Sequence, residues 1–353
     1  MNRHVKKIVS IFKYNKKKVN SILEKIDSLK NSDYIVLYNP ECIGVMNSVK
    51  ELFDENKTIN LPEIFNKKEI NDIALKINEC NVKQVIFSTM AFGYKALAEE
   101  IADKNNKIKL KFLWHGSHSL FVNKNEEYFL ESILDLERRN IVTSIGFLKE
   151  SMAEFYKKQG YNSYFLKNTV KSINSKDNEN IKNESNNLKI GLYAAGDRWE
   201  KNTYNQLSAC SMIKNAVVDI IPNTSLSKSF ANLMNIKLTS NDILNSLPRE
   251  ELFNRMKQND INLYVTFTEC APMIPIESME LGVPCIIGDN THYFTNTPLE
   301  KYLIVKSEDN IDEIYEKINL VNNNKDEVMK LYKEWKESYD VEAQKSVQDF
   351  LLA

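Results

Sequence analysis

The chain alternates short, continuous apolar runs with segments of helical periodicity, and it does so in two successive halves. The apolar runs lie at 34–38, 84–88, 110–114, 188–193, 217–221 and 263–267, with a further strand expected at 141–144. The first helix after the run at 34–38 is expected at 47–53. Apolar runs bounded by turn residues are typical of buried strands, and strands that alternate with helices form parallel sheets. At 353 residues the chain exceeds the usual size of one hydrophobic core. We therefore predict an α/β protein with two domains.

The best boundary between these domains is the stretch 171–187. It consists of Asn, Ser, Lys, Asp and Glu with only two isoleucines, and such a segment has little apolar surface to bury. The sequence thus predicts a first domain at 1–170, a linker at 171–187 and a second domain at 188–325. A final helical segment follows at 326–353.

Charge is distributed unevenly along the chain, although the net charge is −1. Residues 1–30 hold nine Lys or Arg against two acids, and their apolar residues recur at helical spacing. This basic amphipathic helix has two interpretations: it packs on the first domain, or it lies on an anionic membrane surface. The net charge of the whole chain is near zero, whereas proteins that bind nucleic acid usually carry an excess of Lys and Arg. We therefore expect no nucleic-acid partner.

Features of export and of metal binding are missing from the sequence. No apolar run approaches the ~18 residues that span a bilayer, and no signal-peptide pattern opens the chain. The five cysteines are widely spaced and form no CxxC pair, so neither disulfides nor a metal site are predicted. We expect a cytoplasmic protein, with the inner membrane face as its location if the basic helix binds lipid.

The segment 262–288 carries the clearest chemical pattern. An apolar strand runs toward Glu269, a loop follows, and a helix opens near Pro275 with Glu277 in its first turn. Open α/β sheets bind ligands at the carboxyl ends of their strands, and free helix N–H groups such as those near Met273 and Ile274 bind phosphate. Two carboxylates flanking such amides predict a polyhydroxylated ligand that contains phosphate.

This segment resembles the E-x7-E motif of the retaining glycosyltransferases of family 4, also called glycosyl transferases group 1. The resemblance extends upstream through 247–252 and 260–263 and downstream through 282–284. It implies the GT-B fold, in which two Rossmann-like domains enclose a deep cleft. It also implies that the first domain takes the acceptor, that the second takes the nucleotide sugar, and that 326–353 packs back on the first domain.

The resemblance assigns roles to both glutamates. Glu269 resembles the residue beside the transferred sugar, and Glu277 resembles the residue that holds the ribose hydroxyls. The loop between them departs from the family, because Cys270 and Pro272 stand where glycines are usual and Pro275 comes one place late. Each proline also removes one N–H donor.

Four further residues match family positions. Arg198 and Lys201 resemble the pair that grips the donor diphosphate, although they are closer together than usual. His115 follows a strand where the family often has a histidine facing the donor sugar. Gly44 lies in the first strand-to-helix turn, beside the expected donor phosphates. Ordinary structural roles are the alternative for each of the four.

The implied reaction is transfer of a sugar from a nucleotide diphosphate sugar, with a UDP-sugar favoured, to an acceptor hydroxyl with retention of configuration. It needs no metal or bound cofactor, and the acceptor is a glycan, a protein or a lipid-linked saccharide. Two alternatives remain open. The altered loop at 270–275 suggests a non-catalytic GT-B subunit that supports another transferase, and the same fold also hosts nucleotide-sugar epimerases and phosphorylases.

Overall fold

The computed structural model describes residues 16–64, 66–173, 187–193, 197–240, 242 and 247–353. Most of the predicted linker, Gly196 and the first half of the basic segment lie outside the described residues. The chain forms two compact units. Unit 1 contains the described residues up to Asn168 together with Glu342–Ala353, and unit 2 contains Thr169–Val341. The acceptor and donor roles of the predicted domains stay predictions.

Unit 1 contains a parallel sheet with strand order β2-β1-β3-β4-β5-β6. Its elements in chain order are α1 (Lys16–Asp27), β1 (Ile35–Tyr38), α2 (Ile43–Leu52), β2 (Thr58–Asn60), α3 (Lys67–Glu79), β3 (Gln84–Ser88), α4 (Tyr94–Lys104), β4 (Lys109–Trp114), α5 (Lys124–Arg138), β5 (Ser144–Phe147), α6 (Glu150–Lys158) and β6 (Ser163–Phe165). The central strands are almost wholly apolar because helices cover both faces of the sheet. Phe87 and Phe112 pair across β3 and β4 with stacked rings 4.7 Å apart.

The apolar side of α1 packs into the core of unit 1. Val19, Ile22 and Ile26 are buried, while Lys16 and Lys17 are exposed. For the described part of the basic segment, this packing agrees with the first of its two interpretations, a helix held on the domain.

A buried lysine connects β4 to the end of the chain. Lys111 is fully buried, and its Nζ donates to the carbonyls of Phe350 at 2.5 Å and Leu351 at 3.0 Å. Nearby, Lys109 Nζ donates to the carbonyl of Ala353 at 2.8 Å. The last carbonyls of a helix lack intrahelical partners and carry partial negative charge, so a cation suits this position.

Unit 2 contains a second parallel sheet, with strand order β12-β11-β10-β7-β8-β9. Its elements are β7 (Leu188–Leu192), α7 (Thr203–Ser211), β8 (Ala216–Ile220), α8 (Ser225–Leu233), β9 (Lys237–Leu238), α9 (Arg249–Met256), β10 (Ile261–Tyr264), α10 (Ile274–Glu280), β11 (Cys285–Gly288), α11 (Glu300–Leu303), β12 (Ile304–Val305) and α12 (Ile311–Asn323). The last helix, α13 (Lys325–Leu352), begins in unit 2 and ends in unit 1. The predicted α/β class with parallel sheets is confirmed.

A buried polar network fixes α9 against the sheet of unit 2. Asp219 on β8 accepts a hydrogen bond from the hydroxyl of Tyr193 at 2.7 Å and from Arg255 Nε at 3.0 Å. Asn259 donates to the same tyrosine oxygen at 2.6 Å. A buried carboxylate paired in this way orients the helix that carries Arg255.

Two predicted strands lie a few residues from their true positions. The strand expected at 141–144 is β5, because the N–H groups of Ile141 and Val142 bond to the Leu136 carbonyl and close α5 instead. The strand expected at 263–267 is β10, because Thr266 N turns back onto the Tyr264 carbonyl. Helix α2 begins at Ile43 rather than at 47, and α3, α5 and α8 had not been predicted. Within the described ranges, no helix has the length and apolarity to cross a membrane.

Candidate functional site

A buried ion pair joins two segments of unit 2. The Lys201 ammonium donates to the Glu269 carboxylate and lies 3.3 Å from the Tyr264 hydroxyl. The side chains of Lys201 and Glu269 are only 7% and 13% exposed. The structure therefore brings together two residues that the sequence marked independently.

Backbone and amide contacts hold these two segments in register. Asn202 Nδ2 donates to the Val265 carbonyl at 3.0 Å, and Val265 N donates to Gln206 Oε1 at 2.9 Å. Phe267 N also donates to the Glu200 carbonyl at 2.9 Å. The Lys201–Glu269 pair thus rests on a fixed frame, although Glu269 lies five residues beyond the end of β10.

Tyr264 is a member of this site that the sequence did not identify, and Tyr293 is a second buried tyrosine of unit 2. Burial and the Glu269 carboxylate raise the pKa of Tyr264, whose ring centroid lies 5.5 Å from Lys201 Nζ. Burial, with contributions from Cys270, Glu277 and Glu269, raises the pKa of Tyr293. Both phenols therefore stay neutral.

Glu277 forms a second ion pair at the start of α10. Its Oε1 accepts from Arg249 Nε at 2.9 Å and from Arg249 Nη2 at 2.7 Å, and the glutamate side chain is 4% exposed. Arg249 is the first residue of α9 and was not among the predicted site residues. Two guanidinium N–H donors on one carboxylate oxygen hold the carboxylate in one orientation.

The start of α10 agrees with the prediction. Met273 is the N-cap residue, Ile274 is the first helical residue, and Glu277 N donates to the Met273 carbonyl at 2.9 Å. The cap has no side-chain hydrogen bond, and Pro275 contributes no N–H. The backbone N–H groups of Met273 and Ile274 therefore lie where the sequence predicted them, next to Glu277.

Arg198 has a different environment from Lys201. Its side chain is half exposed, and Nη1 lies 3.2 Å from Glu200 Oε1. The structure places it at the rim of the Lys201–Glu269 pair rather than within it. Of the two predicted diphosphate ligands, only Lys201 is buried at the pair.

In unit 1, His115 follows β4 and contacts Ser88, the last residue of β3. His115 Nε2 lies 2.7 Å from Ser88 Oγ, and burial lowers the pKa of His115 to about 3. The imidazole is therefore neutral near pH 7. Gly116 leaves room for this turn, because a Cβ there would lie 2.9 Å from the indole Nε1 of Trp114. Sequence reasoning identified His115 but not Ser88.

Gly44 and His118 are two further residues of unit 1, and they have different environments. Gly44 lies in the first turn of α2, and a Cβ added there would meet no atom within 4 Å. The expected strand-to-helix turn is therefore helical at this residue, and space alone does not require glycine. His118 Nε2 lies 2.9 Å from the Tyr156 hydroxyl, among the rings of Phe121 and Phe155.

No group of three or more His, Cys, Asp or Glu side chains in the described part of the chain is arranged to hold a metal ion. The buried charges at Glu269 and Glu277 are instead each paired with one cation, Lys201 and Arg249 respectively.

Comparison with known proteins gives a fold for the chain and a family match for part of it. Residues 174–338 match the family described as glycosyl transferases group 1. A UDP-forming α,α-trehalose-phosphate synthase from Burkholderia xenovorans, in complex with glucose-6-phosphate, aligns with a TM-score of 0.64 at 9% identity over 91% of this chain and 100% of its own. A synthase from Burkholderia multivorans aligns with a TM-score of 0.62 at 9% identity, over 91% and 97%. An E. coli structure bound with UDP-2-fluoro glucose gives 0.59 at 9% identity, over 90% and 98%. No curated protein sequence matches the chain.

Proposed function

We propose a specific reaction for this chain, which is a glycosyltransferase with the GT-B fold. The chain transfers a sugar from a nucleotide diphosphate sugar, with a UDP-sugar favoured, to an acceptor hydroxyl with retention of configuration. The observation that carries the proposal is the buried Lys201–Glu269 pair. A buried ammonium beside a carboxylate offers one group to a phosphate and one to the hydroxyls of the adjoining sugar.

Lys201 is the proposed ligand of the donor diphosphate. An ammonium group has three N–H donors, and the contacts with Glu269 and Tyr264 use two of them. Thr203, at the start of α7, has a buried hydroxyl without a partner among the described residues. A helix start beside a lysine favours an anion. Lys201 and Arg198 would offset the charge that develops on the leaving diphosphate. Because a divalent metal ion does this in other enzymes, the two residues support a reaction without a metal.

Glu277 is the proposed ligand of the ribose hydroxyls. Arg249 holds the carboxylate in one orientation, and an ionised carboxylate accepts hydrogen bonds from a vicinal diol. The UDP-forming synthases that share the fold support uridine as the base, by analogy at 9% identity.

A nucleotide panel tests the reaction. Purified protein is offered UDP-, GDP-, ADP- and TDP-sugars, and thermal shift and slow donor hydrolysis are recorded. We expect stabilisation and hydrolysis with one class, most with UDP-sugars. Absence of any response would remove the enzymatic proposal and leave the fold unaffected. Anomeric analysis of the product by NMR tests retention, and assays with excess chelator test independence from a metal.

Replacing Glu277 with alanine should weaken nucleotide binding by about 2 kcal/mol, which is roughly 30-fold, because the ribose loses hydrogen bonds to a charged acceptor. Titration calorimetry with UDP measures this loss. Asp312→Ala is the matched control, since Asp312 is an exposed acid in the first turn of another helix of unit 2. Equal UDP affinity for wild type and Glu277→Ala would exclude the ribose role.

His115 is the proposed partner of the reacting sugar in unit 1. A neutral imidazole held by Ser88 can hydrogen-bond a sugar hydroxyl or a developing charge. We expect His115→Ala to lower kcat about 100-fold, with the donor KM little changed. His118→Ala is the control, because His118 lies in the same segment but packs against Tyr156. The kcat–pH profile should show no His115 inflection between pH 5 and 9, and matching kcat values for the two variants would contradict the assignment.

Contact with the inner face of an anionic membrane through residues 1–30 stays a proposal. Residues 1–15 lie outside the described part of the chain, and in α1 only the lysine side is exposed. Any such contact by α1 is therefore electrostatic, which suits a lipid-linked acceptor and weakens with salt.

A further inference from the structure

An aromatic pair, Trp199 and Phe267, lies on the same two segments of unit 2 as the Lys201–Glu269 pair. Trp199 is 61% exposed, an unusual state for the largest apolar side chain. Its ring packs near that of Phe267, with centroids 6.2 Å apart and planes inclined by 27°. One side of the indole is thus supported from within unit 2, while much of its surface is open.

The backbone around Trp199 fixes the position of the indole. Trp199–Lys201 forms a 3₁₀ turn, in which Lys201 N donates to the Arg198 carbonyl at 3.0 Å and Asn202 N donates to the Trp199 carbonyl at 3.1 Å. Phe267 N donates to the Glu200 carbonyl at 2.9 Å. The aromatic pair is therefore part of an ordered frame rather than the tip of a loose loop.

The same frame carries the charged pair. Trp199 precedes Lys201 by two residues, and Phe267 precedes Glu269 by two residues. Arg198, with its side chain half exposed, and Glu200 flank Trp199 in sequence and pair with each other at 3.2 Å. The segment that carries the open aromatic surface thus also carries groups that donate and accept hydrogen bonds.

We propose that the Trp199–Phe267 pair is a subsite for a pyranose ring, an inference that rests on the proposed glycosyltransferase reaction. A pyranose has an apolar face of C–H groups, which packs on an indole, and an edge of hydroxyls, which need polar partners. Arg198 and Glu200, the chain neighbours of Trp199, are the proposed polar partners. The ring comes either from the donor sugar or from the acceptor.

A nucleobase also stacks on tryptophan, but the surroundings favour a sugar. The proposed ribose ligand is Glu277, which pairs with Arg249 on a different element. Trp199 instead lies two residues before Lys201, the proposed diphosphate ligand, and Phe267 lies two residues before Glu269, which is assigned to the transferred sugar. A base on Trp199 would place the nucleotide in the reverse direction, and the test below distinguishes this case.

The test compares Trp199→Ala and Trp199→Tyr with Leu233→Ala, a control that removes another exposed apolar side chain of unit 2. Calorimetry measures binding of UDP, of UDP-glucose and, with UDP present, of maltose as an acceptor-like saccharide. If another nucleotide class responds in the panel, its sugar and its diphosphate replace the UDP pair. Urea unfolding verifies that each variant is folded.

Loss of one stacking surface should weaken binding about tenfold. A tenfold loss for UDP-glucose in Trp199→Ala, with UDP unchanged, assigns the subsite to the donor sugar. The same loss for maltose alone assigns it to the acceptor. Trp199→Tyr should retain affinity within about threefold in either case, because it keeps an aromatic face.

Two results would overturn the inference. An equal loss for UDP and UDP-glucose would mean that the base stacks on Trp199. Unchanged binding of all three probes would mean that the indole contacts no substrate. In both cases the wild type still binds its nucleotide, so failure of the subsite is distinct from failure of the glycosyltransferase reaction, in which the wild type binds no nucleotide at all.

Discussion

Replacing Lys201 with methionine should remove most of the transfer activity and also destabilise the protein. Removal of one electrostatic contact to a leaving group typically lowers kcat by about 100- to 1,000-fold. The substitution also leaves the Glu269 carboxylate buried without its cation, and breaking a buried ion pair costs about 3 kcal/mol or more. Transfer kinetics and urea unfolding measure the two effects separately.

The double variant Lys201→Met/Glu269→Gln distinguishes a functional pair from a structural one. Replacing both partners removes the unpaired charge, so we expect recovery of most of the lost free energy of unfolding. Activity should stay at the level of the single variant, because the diphosphate still lacks its cation. Recovery of both quantities together would reduce the pair to a structural ion pair.

Lys306→Met provides the reference for a lysine that is only structural. Lys306 is exposed and pairs with Asp289 and Glu300 in the same unit. Exposed ion pairs contribute about 1 kcal/mol or less because water and salt screen them. Lys306→Met should therefore keep nearly full activity and stability, in contrast to Lys201→Met.

The sequence predicted the parallel α/β architecture, both members of the Lys201–Glu269 pair and one member of the Arg249–Glu277 pair. Glu269, Glu277 and Lys201 follow or begin regular elements, where local pattern is informative. Arg249 and Tyr264 were not predicted, because sequence spacing does not place them next to the glutamates. Their contacts with the glutamates depend on how the irregular loop between β10 and α10 folds. Tyr293 was not predicted either, since it lies far along the chain from both glutamates.

Errors at the element level have identifiable causes. The strand predicted at 141–144 lies too early in the chain. Ile141 and Val142 have high strand propensity, whereas Gly146 within β5 does not. A Cβ at Gly146 would lie 2.7 Å from Leu166 Cδ1, so a larger residue would have to displace that side chain. Helix α3 was predictable, because Asn66 caps it and its isoleucines recur at helical spacing.

The burial of Lys111 is the feature least predictable from the neighbouring sequence. Within an apolar strand this lysine looks like a break in the pattern, yet it is fully buried. Its partners, the carbonyls of Phe350 and Leu351, lie at the other end of the sequence. Only the folded chain brings a helix C-terminus to the one charged group of this strand that lies in the core.

Lys111 should make stability depend on pH in the alkaline range. Burial lowers the pKa of Lys111 from 10.5 to about 8 in the folded state. Between these two values the unfolded chain binds more protons than the folded chain, so the free energy of unfolding rises with pH. At 1.36 kcal/mol per pKa unit, wild type should gain about 2 to 3 kcal/mol relative to Lys111→Met between pH 7 and 10.

Urea unfolding at pH 7, 8, 9 and 10 measures this gain for wild type, Lys111→Met and Lys109→Met. The difference between wild type and Lys111→Met cancels the titration of the other groups. Lys109→Met should retain most of the gain, because burial is the larger cause of the lowered pKa of Lys111 and the Lys109 charge is the smaller one. Parallel curves for wild type and Lys111→Met would have a definite physical meaning. The helix carbonyls would then favour the charged amine as strongly as burial opposes it, and Lys111 would remain protonated throughout this range.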